Sequence, residues 1–362
     1  MNKIKIAVYA ICKNEEQFID RWYESIKEAD QIFVLDTGST DKSVKKLKEK
    51  GIIVKEKLYN PWRFDEARND SLKMVPSDYD LCICLDLDEI IENNWREKIE
   101  KNWNNNYTRI SYNYNWYIEN GIPKISFILD KIHKRKDYKW THPVHEILEN
   151  INNNEKILHI NELTVNHYPD RNKSRSSYLP LLELSVKEDP TDDRNMHYLG
   201  REYMYYRKYD KAIKVLKKHL KLKKATWKDE RCASMRFIAR CYKFKGDFKE
   251  SLNWYDSAIK EAPYLRDPYI EKALLLYETE NWDDLIDTIN IALKINNHQK
   301  TYINEIFSWN ETPYDLLSIA YYNKKEYVKS LINVDKALML SNEIRLKNNQ
   351  KIIIEKIENL EK

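Results

Sequence analysis

The sequence predicts an α/β domain followed by an all-α domain of helical hairpins, and three observations lead there. Apolar runs of strand length alternate with stretches of helical period from Lys5 to Leu85. Short strand-like runs follow as far as Tyr168. After Pro169 the texture is helical almost to the end and carries an internal repeat. A chain of 362 residues favours two domains over one, placed at 1–172 and 173–362.

Lys5–Ile11 reads as a buried strand, and Glu15–Lys27 as a helix with Phe18, Ile19, Trp22 and Ile26 on one face. Gln31–Leu35 is a second strand ending at Asp36, and Thr40 or Asp41 caps a helix bearing Val44 and Leu47. Ile52–Glu56, the helix Phe64–Met74 and the strand Asp80–Leu85 complete the alternation. Such an order implies a mostly parallel sheet with helices on both faces. Its ligands bind beyond the carboxyl ends of the strands, where Asp36, Asp86 and Asp88 lie. Arg109–Tyr117, Lys124–Leu129 and Lys156–His167 are expected to extend the sheet and cover one edge.

Ser174–Ser177 opens the helical region. Tyr209, Phe248, Trp282 and Tyr327 recur at intervals of 39, 34 and 45 residues, each with a small or apolar residue three positions later. Each opens the second helix of a pair, and Pro263 closes one repeat. The pattern resembles tetratricopeptide hairpins, with the signature Trp and Gly positions mostly replaced. No acid/base constellation is expected in this region.

Composition narrows the function. Lys+Arg number 62 against Asp+Glu 58, a net charge of +4, so no strong grip on nucleic acid or acidic membrane is expected. The basic runs Lys131–Lys136 and Lys217–Lys224 read as solvated faces. Only 5 glycines are present, and none form the runs that cradle phosphate in P-loops or dinucleotide folds. No membrane span is expected. Five cysteines, an odd number without a CxxC pair, point to a reduced cytoplasmic protein and away from a cysteine zinc site.

Three clusters carry chemistry. Asp36-Thr37-Gly38-Ser39-Thr40-Asp41 follows a strand, and a carboxylate there can accept hydrogen bonds from a base or ribose. Asp86-Leu87-Asp88-Glu89 ends an apolar strand, and two carboxylates at i and i+2 can face a hard divalent ion, Mg²⁺ or Mn²⁺. The third cluster is Trp140-Thr141-His142-Pro143-Val144-His145-Glu146 with His167 downstream, a source of a general base and a further metal ligand.

Together these residues resemble a family 2 glycosyltransferase of GT-A fold over 5–168. The matching elements are Ile11-Cys12-Lys13-Asn14-Glu15, the turn 36–41, Phe64-Asp65-Glu66-Ala67-Arg68-Asn69 and the DxD at 86–88. The Arg-Asn helix, the Val-His-Glu triplet, the later His and the helical repeats are similar to sublancin-type peptide S-glycosyltransferases. Unlike that subgroup, the chain begins directly at its first strand, and Thr37 replaces the usual second Asp of the first turn.

The resemblance implies a nucleotide-sugar donor, a UDP-sugar, with Mn²⁺ or Mg²⁺, and inversion at the anomeric centre. Donor binding then falls to Asn14, Glu15, Asp36, Arg68 and Asp86, with Arg68 reaching the diphosphate. Asp86, Asp88 and His167 become the metal ligands. Glu146 is the candidate base and Asp137 the second choice. The helical domain is expected to present a protein or peptide acceptor. Two other readings stay open: a transferase acting on saccharide or nucleic acid that dimerises through its helices, and an inactive binding scaffold.

Overall fold

The computed structural model describes residues 4–170, 178–298 and 301–360. The chain divides into two compact units, Met1–Ser185 and Val186–Lys362. The boundary expected at 172/173 and the helix start expected at Ser174–Ser177 lie outside the described residues.

Unit one begins with β1 (Ile6–Cys12), α1 (Ile19–Ile26), β2 (Gln31–Asp36), α2 (Ser43–Glu49), β3 (Ile53–Glu56), α3 (Phe64–Met74) and β4 (Leu81–Cys84). It continues with β5 (Glu89–Ile91), α4 (Trp95–Asn102), β6 (Arg109–Glu119), β7 (Ile122–Lys134), β8 (Tyr138–Thr141), β9 (Ile147–Asn150) and β10 (Ile157–His167). Helix α5 (Tyr178–Glu188) runs across the division between the units.

The main sheet has the order β3-β2-β1-β4-β7-β6-β10-β5, and β8 and β9 form a separate hairpin. The first four strands are parallel, as expected. The whole sheet is mixed, not mostly parallel, because β7 pairs antiparallel with both β4 and β6, and β5 antiparallel with β10. The later strands therefore form half the sheet instead of covering its edge. They are 11, 13 and 11 residues long, and the middle one outgrows the expected Lys124–Leu129 at both ends.

Strand alternation sends successive side chains of β1 to opposite faces. Ile6, Val8, Ala10 and Cys12 join Ile19, Trp22 and Ile26 of α1 and Trp95 and Ile99 of α4 in one core. Ala7 and Tyr9 meet Leu72 of α3, Trp140 of β8 and Leu148 of β9 in the other. That second core holds a satisfied polar chain. Trp140 Nε1 donates to Tyr9 Oη at 2.9 Å, and Tyr9 Oη lies 2.9 Å from His133 Nε2. Burial pushes the His133 pKa down to about 3, so the ring is neutral. His133 and Ile132 are fully buried, so Lys131–Lys136 is not the solvated face expected of it.

Unit two is built from α6 (Asp193–Tyr205), α7 (Tyr209–His219), α8 (Lys228–Phe244), α9 (Phe248–Glu261), α10 (Asp267–Glu278) and α11 (Trp282–Ala292). They are followed by α12 (Thr312–Asn323), α13 (Tyr327–Leu340) and α14 (Ile344–Glu358). The contacts pair α6 with α7, α8 with α9, α10 with α11 and α12 with α13, each pair packing on the next. Tyr209, Phe248, Trp282 and Tyr327 are the first residues of α7, α9, α11 and α13. The residues three later, Ala212, Ser251, Leu285 and Ser330, are all fully buried. Two residues before each aromatic the backbone turns left-handed, at Arg207, Gly246, Glu280 and Lys325, which ends the first helix of each pair. No helix among the described residues is long and apolar enough to cross a membrane.

Gly200 of α6 faces Leu216 of α7, where an added Cβ would sit 2.4 Å from Leu216 Cγ. Gly200→Ala should therefore force the first pair apart and lower stability by about 1–3 kcal/mol despite the better helix propensity of alanine. Urea unfolding monitored by circular dichroism tests this; an unchanged or higher midpoint would show that the helices yield without cost.

Candidate active site

The carboxyl ends of β1, β2 and β4 carry most of the singled-out residues. After β1, Asn14 adopts φ 56°, its N–H donates to Ser39 Oγ at 2.8 Å, and its Oδ1 accepts from Thr40 N at 2.7 Å. Glu15 N donates to Ser43 Oγ at 2.8 Å. The segment after β1 is thus stitched to the turn after β2. Asp36 is only 2% exposed. Its Oδ2 accepts from Gly38 N and Ser39 N, both at 2.9 Å, and its Oδ1 accepts from the Ser39 hydroxyl. The expected base or ribose contact meets a carboxylate already engaged by its own turn. Gly38 suits this turn, with φ 105° and Leu58 Cδ2 only 2.6 Å from where a Cβ would sit.

Beyond β4 the charges are densest. Arg68 of α3 is 5% exposed and reaches Asp86 with two parallel bonds, Nη1–Oδ1 2.8 Å and Nη2–Oδ2 3.0 Å. Its Nε donates to Glu146 Oε1, and its guanidinium lies 5.1 Å from the Trp140 ring centroid. All three guanidinium nitrogens point at the protein's own groups. The neighbouring Asn69 holds β8 in place, donating to Trp140 O at 2.8 Å and accepting from Trp140 N at 2.9 Å. The Arg-Asn pair thereby ties α3 to Asp86, Glu146 and the hairpin that carries Glu146.

Lys131 of β7 is a functional candidate that sequence reasoning missed. Ile132 pairs with Ile83 of β4, which sets Lys131 beside the carboxyl end of that strand. Its Nζ lies 3.3 Å from both Asp86 Oδ2 and Glu89 Oε1. Glu89 is 2% exposed, accepts from Tyr114 Oη at 2.9 Å and accepts from Asp86 N at 2.9 Å. Burial opposes the charge on Asp86, but Arg68 and Lys131 outweigh it and hold the carboxyl well below its ordinary range. Burial raises the Glu89 pKa, opposed by Lys131. Alternation along β7 was the available signal: a lysine two residues before a buried histidine on a strand lies on the same face.

Asp88 faces differently. The pairing of Glu89 with His167 brings the end of β10 against the DxD turn, and Tyr168 N donates to Asp88 O at 2.8 Å. His167 Nε2 lies 3.4 Å from Asp88 Oδ2, while Nδ1 lies 3.0 Å from Trp116 O. Burial lowers the His167 pKa, but Asp88 outweighs it and the net shift is upward. A carbonyl on Nδ1 fixes the tautomer that leaves Nε2 as a donor atom for a metal, the usual outer-shell arrangement. Asp88 and His167 therefore fit a divalent ion. Asp86 has both oxygens on cations of the protein.

Asp137 is not brought to this cluster. It lies in the turn after β7, whose Lys134 pairs with Leu81, the first residue of β4. That is the amino end of the strand, and Asp86 follows the other end. His145 turns its ring toward Tyr178, with centroids 5.7 Å apart. The helical unit also departs from expectation: Asp193, His219 and Glu230 converge there from three helices.

Lys131→Met should leave Asp86 and Glu89 without their shared cation and lower stability by about 1.5–3 kcal/mol. The exposed Lys136→Met should change little. Urea midpoints of the two variants decide this; equal values would mean Lys131 is no more than a surface charge.

No curated protein matches the chain. Among solved structures it is similar to MamA (17% identity, 45% of this chain, 81% of that chain, TM-score 0.37). It is also similar to YrrB, described as a TPR protein with an unusual peptide-binding site (12%, 49% of this chain, 82% of that chain, TM-score 0.37). A third likeness is to the Arabidopsis OM64 TPR domain (16%, 35% of this chain, 96% of that chain, TM-score 0.30). Residues 7–148, which span β1 to β9 and hold Arg68, the DxD and Glu146, match the model of glycosyl transferase family 2, and unit one thus carries a family 2 glycosyltransferase domain.

Proposed function

We propose that this cytoplasmic enzyme moves a sugar from a UDP-sugar to a protein or peptide side chain, with inversion and with Mn²⁺ or Mg²⁺ held by Asp88 and His167. The observation that carries the proposal is the pairing of those two side chains at 3.4 Å, just past the end of β4. An imidazole ligand favours Mn²⁺ over Mg²⁺, which keeps to oxygen ligands and its waters. When bound, the ion offsets charge developing on the departing diphosphate. The five cysteines are free and buried, in keeping with a reducing compartment.

The protein's own groups divide the remaining work. Asn14, Glu15 and the turn of Asp36 frame the base and ribose, with Asp36 shaping the turn instead of touching the donor. Asp86, locked by Arg68 and Lys131, faces the ribose side and fixes the position of Asp88 two residues on. Glu146 takes the proton of the acceptor heteroatom as that atom bonds to the anomeric carbon and the bond to diphosphate breaks. Its Oε1 is held by Arg68, which leaves Oε2 for the acceptor. Arg68 is a positioning residue for both carboxylates. The helical unit presents the acceptor, a protein or peptide laid along the helical hairpins.

A donor-hydrolysis screen over UDP-sugars with Mn²⁺ and Mg²⁺ tests this. Asp88→Ala should abolish turnover of every donor, and unchanged hydrolysis would remove the metal role. Glu146→Gln should keep donor KM and lower kcat by roughly 10²–10⁴-fold. A variant with normal kcat would send the base role elsewhere.

A further inference from the structure

The helical unit contains a cluster that the transferase reading does not use. Asp193 stands in the first turn of α6, His219 ends α7 and Glu230 stands in the first turn of α8. One oxygen from each acid and one ring nitrogen of His219 lie within 4.8 Å of one another. His219 is fully buried and Glu230 is 4% exposed, while Asp193 is half-buried and opens the cluster to solvent.

The neighbours set the chemistry. Ser234 Oγ lies 2.9 Å from His219 Nδ1 and 2.7 Å from His197 Nδ1. A hydroxyl has a single proton to give. When it goes to His197, His219 must donate its own Nδ1–H to the serine, and His219 Nε2 carries a lone pair. That nitrogen has no hydrogen-bond partner among the described residues. Glu230 Oε1 is 3.3 Å from it, so the ring nitrogen and the carboxylate face each other across the cluster. Tyr302 Oη donates to Glu230 Oε2 at 2.6 Å, which leaves Oε1 turned to the histidine.

Two donor atoms 3.3 Å apart suit adjacent ligands on one ion at about 2.0–2.1 Å from each. The serine on Nδ1 is the outer-shell partner that orients a ligating imidazole. We propose that Asp193, His219 and Glu230 form a second divalent-cation site, a transition-metal site of Zn²⁺ class, that staples α6, α7 and α8 together. The imidazole nitrogen disfavours Mg²⁺ and Ca²⁺, which prefer oxygen ligands. Three protein ligands and an opening at Asp193 leave room for water as a fourth. The ion takes up the otherwise unpartnered His219 Nε2 and links the first helical pair to the second.

The test uses the full chain stripped of metal and titrated with Zn²⁺, with bound zinc counted after dialysis and thermal unfolding followed by circular dichroism. Asp88→Asn serves as the background, so that zinc at the transferase site is not counted. One Zn²⁺ per chain is expected, with a rise in the Tm of the helical transition of roughly 5–10 °C at 100-fold excess over Kd. Asp193→Asn, at a half-exposed position where folding is not at risk, should weaken binding at least about tenfold and remove most of the Tm rise. His219→Gln should do the same. Absence of stoichiometric zinc in the Asp88→Asn protein, or Asp193→Asn binding zinc as tightly as its parent, would overturn the site.

Discussion

The transferase unit depends on one buried cation. Arg68 is 5% exposed and contacts two carboxylates that belong to different parts of the chain, Asp86 after β4 and Glu146 in the β8–β9 hairpin. A buried guanidinium persists only when its charge and donors are met, and each of these carboxylates needs the same cation. The two conditions are met at one geometry. That geometry places the hairpin over α3, with Asn69 bracketing Trp140 one residue further along the helix. It also holds the DxD turn still from its first aspartate, so the second aspartate can be directed at His167. The acids of the site differ in their partners for this reason: Asp86 and Glu89 share Lys131, Asp88 faces His167, and Glu146 shares Arg68 with Asp86.

The long antiparallel strands supply what a purely parallel sheet would not. In the parallel half, loops after β1, β2 and β4 all open on the carboxyl side. Reversing direction at β7 puts Lys131 on that same side, next to Asp86. Reversing again between β10 and β5 puts His167 opposite Glu89. The mixed topology thus brings a cation and an imidazole from residues 45 and 79 positions after Asp86 and Asp88 to the DxD turn. A glycine cradle is not needed where charge is handled by paired side chains, which agrees with a chain of only 5 glycines.

Legibility in the sequence followed the range of the interaction. The strand-helix alternation to β4, the turn at Asp36 and the aromatic that opens each second helix depend on neighbours a few residues away, and they read directly. Tyr209, Phe248, Trp282 and Tyr327 were readable because the left-handed turn before each forces the helix to restart there. The partners of Arg68 were not readable. An Arg-Asn pair on a helix is equally compatible with phosphate contact, and only the fold shows both carboxylates within reach. Lys131 was masked by its surroundings, since a run of basic residues has the composition of a solvated face whichever way alternate side chains point. The mixed sheet escaped for a related reason: pairing direction lives in contacts between strands tens of residues apart.

The same logic separates the two clusters of acid and histidine in this chain. Near Asp88 the DxD spacing is visible in the sequence, while the fold sets Asp86 on Arg68 and Lys131 and brings His167 to Asp88. In the helical unit nothing advertises a site, since Asp193, His219 and Glu230 are spread over three helices without a motif. The helical array keeps its pairs in register through buried small and apolar residues such as Ala212 and Leu285, through serine hydrogen bonds from Ser251 and Ser330, and through the buried ion pairs of Arg236 and Arg240 with Glu271. A buried imidazole facing a buried carboxylate adds nothing to that register and costs desolvation on both sides. A cation shared by the two groups at the junction of the first pair with the second offsets that cost.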